Sequence, residues 1–366
     1  NMSNQRINKL ISNLDDQDLD ALALVPGSNF RYATGGDFAL MERPTLLIVS
    51  KNKKPIAILP VLEVDSFSHL NIDADIFAWQ DSDGYQLAFD KAFNKLGSIA
   101  KIGVEGQRMR VFEMQAIQQS MQHVTIINAQ KIISKMRLLK DSLEIKYLKE
   151  AIAIAESALS DTINFVKVDK TEIEIKNFLI QKLYQYGAEA IAFDPIVLAA
   201  DNSALPHGHS RNDYHIKAGD CLLFDFGATI NGYHSDITRT FFIESVSDEF
   251  KNIYSAVLTS NEIGRKISKP ELTLHDLDDQ VLNSLSNSGY EDLIVHKTGH
   301  GLGMDVHEDP YVMRNNNEVL EPGMVITIEP GLYKQGSLGV RIEDDVLITE
   351  TGSESLTVFP RELTII

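Results

Sequence analysis

The stretch FDFGATINGYHSDITRT, residues 224 to 240, constrains the fold more than any other part of the chain. Asn231-Gly232 stands between two apolar, β-branched runs, and a two-residue type I′ turn needs the positive φ at both central positions that this pair tolerates. A hairpin with that loop sets residue 230 opposite 233, so Asp225 faces Thr238 and Gly227 faces Asp236. The two aspartates then lie diagonally on one face, roughly 7 to 8 Å apart at Cα, with His234 and Thr238 on the same face. Gly227 is expected to leave space for whatever they hold. Two like charges on an apolar strand are costly without a positive partner. A cation between them answers that cost; on this stretch alone, pairing with Arg239 or capping of loops answers it as well.

Three more stretches bear on the choice. HKTGHGLGMDVHEDP, residues 296 to 310, carries His296, His300 and His307. His296 and His300 would share a face of a helix, but Gly299, Gly301 and Gly303 disfavour one, so a strand or tight loop is expected. The glycines should also let other groups approach the His300 imidazole closely. VITIEPGLY (325 to 333) and GVRIEDDVLIT (339 to 349) read as two strands, each with a glutamate in apolar context, Glu329 and Glu343. Asp225, Asp236, His300, Glu329 and Glu343 together suit two divalent ions bridged by carboxylates. So oxygen-rich a set points first to Mn²⁺, with Co²⁺, Zn²⁺ or Fe²⁺ as alternatives.

With 366 residues and 43% hydrophobic content, two domains with their own cores are expected. In a first domain of residues 1–133, the stretch 19 to 129 alternates short apolar runs (LDALALV, TLLIVS, PIAILP, ADIFAWQ, KIGVEG, TIINA) with helical patterns, among them a polar-faced segment around 83 to 97, which reads as a small α/β domain. Residues 134–366 open with a long helix and repeat the order helix, helix, strand pair, which suggests a duplicated unit. Within it, Thr171 and Glu174 read as a capping box and Gly187 as a helix C-cap. The formal charge of -18 opposes nucleic acid and anionic lipid as partners. No run is long enough to span a membrane and no secretory signal is visible in the first thirty residues, so a cytoplasmic address is expected. Asn1, ahead of Met2, reads as the remnant of a tag. The single cysteine, Cys221, precedes Leu222 and Leu223 and is expected to be a buried thiol.

FDFGATINGYHSDITRT, HKTGHGLGMDVHEDP, ITIEPGLY and GVRIEDD, in that order, resemble the metallopeptidases of the pita-bread fold, in the branch of Xaa-Pro dipeptidases (prolidases) and aminopeptidase P; NFRYATGGDFALMERPTLLIV resembles the N-terminal domain of the same branch. The resemblance implies an α/β chain whose catalytic domain has two pseudo-twofold halves and follows a smaller N-terminal α/β domain. It implies that Asp225 and Asp236 chelate, that Glu343 bridges, and that His300 and Glu329 complete a two-metal site. His207, in LPHGH, is placed by the substrate; His296 and His307 are placed at the substrate or the oxyanion; Arg341 orients carboxylates and Tyr333 lines the site. Glu329 is the expected proton carrier. The expected reaction is hydrolysis of the peptide bond before proline in small Xaa-Pro peptides, by a homodimer. A dipeptidase must also recognise a free carboxylate, for which arginine is the natural partner. Some microbial prolidases carry one directly after the His-Glu-x-Pro segment; here that place is Tyr311 and the nearest arginine is Arg314. Aminopeptidase P activity on longer peptides and a non-catalytic binding protein of the same fold are the alternatives.

Overall fold

A computed structural model describes residues 1–366, in two compact units, Asn1–Arg137 and Leu138–Ile366. In the first, each of the six apolar runs becomes a strand: β1 (Ala21–Leu24), β2 (Leu46–Ser50), β3 (Ile56–Pro60), β4 (Asp75–Trp79), β5 (Lys101–Val104) and β6 (Thr125–Asn128). They form one mixed sheet in the order β4-β3-β2-β1-β5-β6. The helix Gln86–Leu96 contributes Phe89 and Phe93 to a core with Ala21, Ala23, Ile48 and Ile58.

The second unit shows the expected repeat. The helices Ser142–Phe165 and Glu172–Gln185 precede β7 (Ala190–Ile191), β8 (Ile196–Ala199), β9 (Cys221–Phe226), β10 (Ala228–Ile230), β11 (Tyr233–His234) and β12 (Ile237–Phe242). The helices Asp248–Ile267 and Leu274–Leu285 precede β13 (Gly299–Gly301), β14 (Glu308–Val312), β15 (Val325–Ile328), β16 (Gly331–Lys334), β17 (Leu338–Arg341), β18 (Asp344–Ile348) and β19 (Ser353–Ser355). All four helices start at a side-chain cap: Asp141, Thr171, Ser247 and Thr273 each accept the backbone N–H three residues on. Asp141 and Glu144 complete a reciprocal capping box, whereas Thr171 supplies only its own half. The C-cap of the second helix is Tyr186, one residue before the expected Gly187, which follows at φ +103°.

The hairpin has the expected register. Ile230 faces Tyr233, Thr229 faces His234, Phe226 faces Ile237 and Asp225 faces Thr238, around a loop with Asn231 at φ +49° and Gly232 at φ +82°. It is not one ribbon, however: β10 and β11 form a sheet with β7, and β9 and β12 form another with β8. The seam runs through Gly227, whose missing Cβ would sit 1.7 Å from the Ser235 carbonyl oxygen. The space it leaves is therefore filled by backbone rather than by a ligand, which corrects the expectation for this glycine. The same holds at Gly299 and Gly301, where a Cβ would meet the carbonyl oxygens of Thr327 and Asp309 at 1.8 and 2.2 Å: they admit neighbouring strands, not partners of the imidazole.

The segments 325 to 333 and 339 to 349 also split, each into two strands. β15 and β18 belong to the five-stranded sheet β14-β13-β15-β18-β19, while β16 and β17 pair as a separate ribbon. Cys221 is fully buried, its thiol 3.1 Å from the Ser203 hydroxyl. No helix is long and apolar enough to cross a membrane.

Candidate metal centre

Donor atoms of Asp236, His300, Glu329 and Glu343 lie within 4.8 Å of one another. His300 Nε2 is 3.2 Å from Glu329 Oε2, 3.4 Å from Asp236 Oδ2 and 3.9 Å from Glu343 Oε2. Yet His300 Nε2, Glu343 Oε2, Asp236 Oδ1 and Asp225 Oδ1 are buried without any hydrogen-bond partner. Buried polar atoms are nearly always paired, so a cluster that surrounds a common point without internal hydrogen bonds fits a cation there. The His300 tautomer agrees. Its Nδ1 faces the Gly301 carbonyl at 2.9 Å and must donate, which turns Nε2 toward the carboxylates as the ligating atom. Asp225 stands beside this group, its Oδ2 accepting from Arg341 Nη2 at 2.8 Å.

The electrostatics describe a site short of positive charge. Burial, then the neighbouring Asp236, holds the Asp225 carboxyl well above the usual range, and burial with Asp236 and Glu329 does the same to Glu343. Burial alone would lower His300, but the neighbouring Asp236 and Glu329 carboxylates lift it well above an ordinary histidine. Burial opposes the opposite shift at Glu329, which Glu343 and His300 hold low.

A frame of neighbours aims the donors. Thr238 Oγ1 donates to Glu343 Oε1 at 2.8 Å, and Thr327 Oγ1 accepts the His300 N–H while donating to Glu329 Oε2, both at 3.1 Å. Asp345 Oδ2 accepts the Asp236 N–H. Asp278, on the helix Leu274–Leu285, accepts from both Thr298 and the Arg314 N–H, bracketing β13 and β14. Lys140 and Glu308 form a buried ion pair of 2.9 Å immediately after His307. Arg239 gives its guanidinium to Asp344 at 2.7 Å, so the alternative pairing with the hairpin aspartates does not form.

Other expected site residues divide into two groups. Arg341 Nη1 donates to the Tyr333 hydroxyl at 2.8 Å, and that hydroxyl donates to His296 Nε2 at 2.6 Å, joining Arg341, Tyr333 and His296 to Asp225. His307 stacks on His300 with ring centroids 3.8 Å apart. His207 is exposed on the loop after β8, with no hydrogen bond to the cluster. Arg314 is bound to Asp279 at 3.0 Å and to Asn283, on the flank of a helix. Thr327, Asp345, Asp278 and Lys140 escape sequence reading; only the alternation of VITIE, which puts Thr327 on the Glu329 side, hints at one of them.

Metallopeptidase family M24 matches residues 146–350, and the creatinase/prolidase N-terminal domain matches residues 6–139. The chain belongs to metallopeptidase family M24. This M24 chain is 32% identical over 356 residues to an uncharacterized peptidase of Staphylococcus aureus strain USA300, covering 97% of this chain and 99% of that one. Among solved structures it matches an Xaa-Pro dipeptidase from Bacillus anthracis at TM-score 0.92 and 34% identity, covering 100% of both chains. It also matches an X-Pro aminopeptidase from Thermotoga maritima at TM-score 0.85 and 31% identity, over 98% and 99% of the chains. The protein is thus an M24 metallopeptidase, with a creatinase-like first domain and a pita-bread second domain. Family membership brings divalent metal ions with it, and the donor cluster suits them.

Proposed function

We propose that the protein is an Xaa-Pro dipeptidase, with two Mn²⁺ ions held by Asp225, Asp236, His300, Glu329 and Glu343. The observation that carries the metal assignment is the set of buried, unpartnered donor atoms on four of these residues. Two bound divalent ions supply activation of water near neutral pH and polarisation of the scissile carbonyl, as two-metal sites do in aminopeptidases generally. Glu329, steadied by Thr327, takes and returns the proton. His307 is the better donor to the developing oxyanion. Both nitrogens of His296 are engaged, Nδ1 by the Lys297 carbonyl and Nε2 by Tyr333, whereas the His307 ring makes no hydrogen bond. His207 and Tyr333 contact the peptide, and proline needs a dedicated pocket because it lacks an N–H and is stiff.

A dipeptide also presents a free carboxylate. Arg314 is engaged by Asp279, and Arg341 by Asp225 and Tyr333. Lys297 has no ion-pair partner; its ammonium lies 5.8 Å from the ring centre of Tyr311, the residue opposite His300 in the strand pair. That cation, free of ion pairs, is the partner the dipeptidase reading gives to the substrate carboxylate. The test compares Xaa-Pro with Xaa-Pro-Yaa in the Mn²⁺-loaded enzyme. Dipeptide turnover, with KM raised about 10-fold by Lys297→Ala, is expected, since a charge-assisted contact is lost; cleavage of the tripeptide alone sinks the dipeptidase reading. The same reading includes a cytoplasmic homodimer, which a monomer by light scattering would contradict.

A further inference from the structure

Glu172 is fully buried in the first turn of the helix Glu172–Gln185, yet the cap of that helix is Thr171. Its carboxylate instead receives the loop that leaves β8. Oε2 accepts from the Ala199 N–H at 2.6 Å and Asn202 Nδ2 at 3.0 Å; Oε1 accepts from the Arg211 N–H at 2.9 Å and Arg211 Nε at 2.7 Å. Ala199 and Arg211 are the two feet of one loop. Arg211 reaches across as well, donating to the Ala199 carbonyl at 3.0 Å and to Asp201 at 3.2 Å. Asn202 Nδ2 donates to the His209 carbonyl at 2.8 Å, and Ser210 Oγ to the Val197 carbonyl at 2.7 Å. The loop between these feet carries Leu205, Pro206 and His207, all exposed. A buried carboxylate with this many donors is held firmly, because removing any of them leaves charge uncompensated.

We propose that Glu172 and Arg211 are positioning residues for substrate binding: their ion pair closes the base of the loop 199 to 211 and presents His207 at a fixed place to the peptide. The proposal rests on the substrate role given to His207 above. Loss of the pair lets the tip wander, which weakens substrate binding while the metal ligands, on other strands, stay in place. Arg211→Ala in the full-length, Mn²⁺-loaded enzyme is expected to speed hydrogen exchange in 199 to 211 with no change in 221 to 242, and to leave metal content unaltered. KM for an Xaa-Pro dipeptide rises on the order of 10-fold, as for one lost charge-assisted contact, with kcat nearly unchanged. Arg211→Lys, which keeps the charge, recovers part of the loss. Combining Arg211→Ala with His207→Ala costs no more than His207→Ala alone, since both act through one side chain. Unchanged exchange in the loop, exchange raised evenly through the second unit, or a fall in kcat at constant KM would overturn the proposal. If His207→Ala leaves KM unchanged although the loop of the Arg211 variant loosens, the substrate role of His207 fails and the positioning claim with it, while the clamp itself stands.

Discussion

Thr327→Val probes the centre through a residue that ligates nothing. The threonine is fully buried, and its one hydroxyl ties two donors together, accepting from the His300 N–H and donating to Glu329 Oε2, each at 3.1 Å. Valine keeps the shape and removes both bonds. A stranded buried N–H costs about 1–3 kcal/mol, and a lost bond to a carboxylate about 1.5–3 kcal/mol. Because both belong to one hydroxyl the terms do not add, and a net loss of about 2–4 kcal/mol is expected for the metal-free protein. Freed to rotate, Glu329 binds the ion less well, and Mn²⁺ affinity falls about 10- to 100-fold, the range for residues that orient metal ligands. Denaturant titration in EDTA reads the first quantity and Mn²⁺ calorimetry the second, with Thr327→Ser as the control that retains the hydroxyl. A valine variant that is less stable but binds Mn²⁺ as tightly as the parent would refute the view that this hydroxyl orients the site.

Three further outcomes follow from burial and charge. Burial and neighbouring carboxylates raise Asp225 and Glu343, so ions held there as proposed would compete with protons; Mn²⁺ affinity should rise with pH, and calorimetry in buffers of different ionisation heat should show proton release, whereas pH-independent binding would contradict the scheme. Although burial opposes it, Arg239 and Arg361 hold Asp344 well below the ordinary carboxylate range. A depressed folded-state pKa gives stability that is complete above the unfolded value and lost as pH falls below it; the gap in Tm between the parent and Asp344→Asn, both metal-free, should be flat from about pH 8 to 5 and narrow below about pH 4. Burial pushes the Cys221 thiol up to about 11, so native protein should resist alkylation that goes to completion in guanidinium; rapid native labelling would be the contrary result.

What could be read in the chain divides by how local its cause is. The hairpin register is legible because turn chemistry at Asn231-Gly232 and the period-two alternation act within a few residues. The six strands of the first unit are legible for the same reason: each is a short apolar run between polar breaks. Gly227 is misread because its neighbour is the Ser235 backbone across the seam, and nothing in the local sequence distinguishes space for a ligand from space for a strand. Arg314 looks available in a linear reading, but Asp279 and Asn283, brought to it by the helix Leu274–Leu285, take its guanidinium. Lys140 lies 168 positions from its partner Glu308, a pairing that only the tertiary fold creates.

The splitting of the expected strands has its own chemical reason. Side chains along an unbroken strand point to two opposite faces, so one regular sheet offers a metal ion donors from a single plane. Here each candidate ligand sits where regularity stops. Asp225 lies one residue from the end of β9, Asp236 stands between β11 and β12, and Glu329 between β15 and β16. Glu343 stands between β17 and β18, and the β13–β14 register shifts between His300 and Gly301. Breaks and bulges re-aim a side chain while the flanking strands keep its backbone rigid. Donors such as Asp236, His300, Glu329 and Glu343 can then converge from different directions, with rigidity supplied by the flanking strands and direction supplied by the breaks. It follows that a substitution disturbing a break, such as Gly301→Val at the bulge, should weaken Mn²⁺ binding in calorimetry even though it removes no proposed ligand: its Cβ would meet the Asp309 carbonyl oxygen at 2.2 Å and force apart the strands that aim His300.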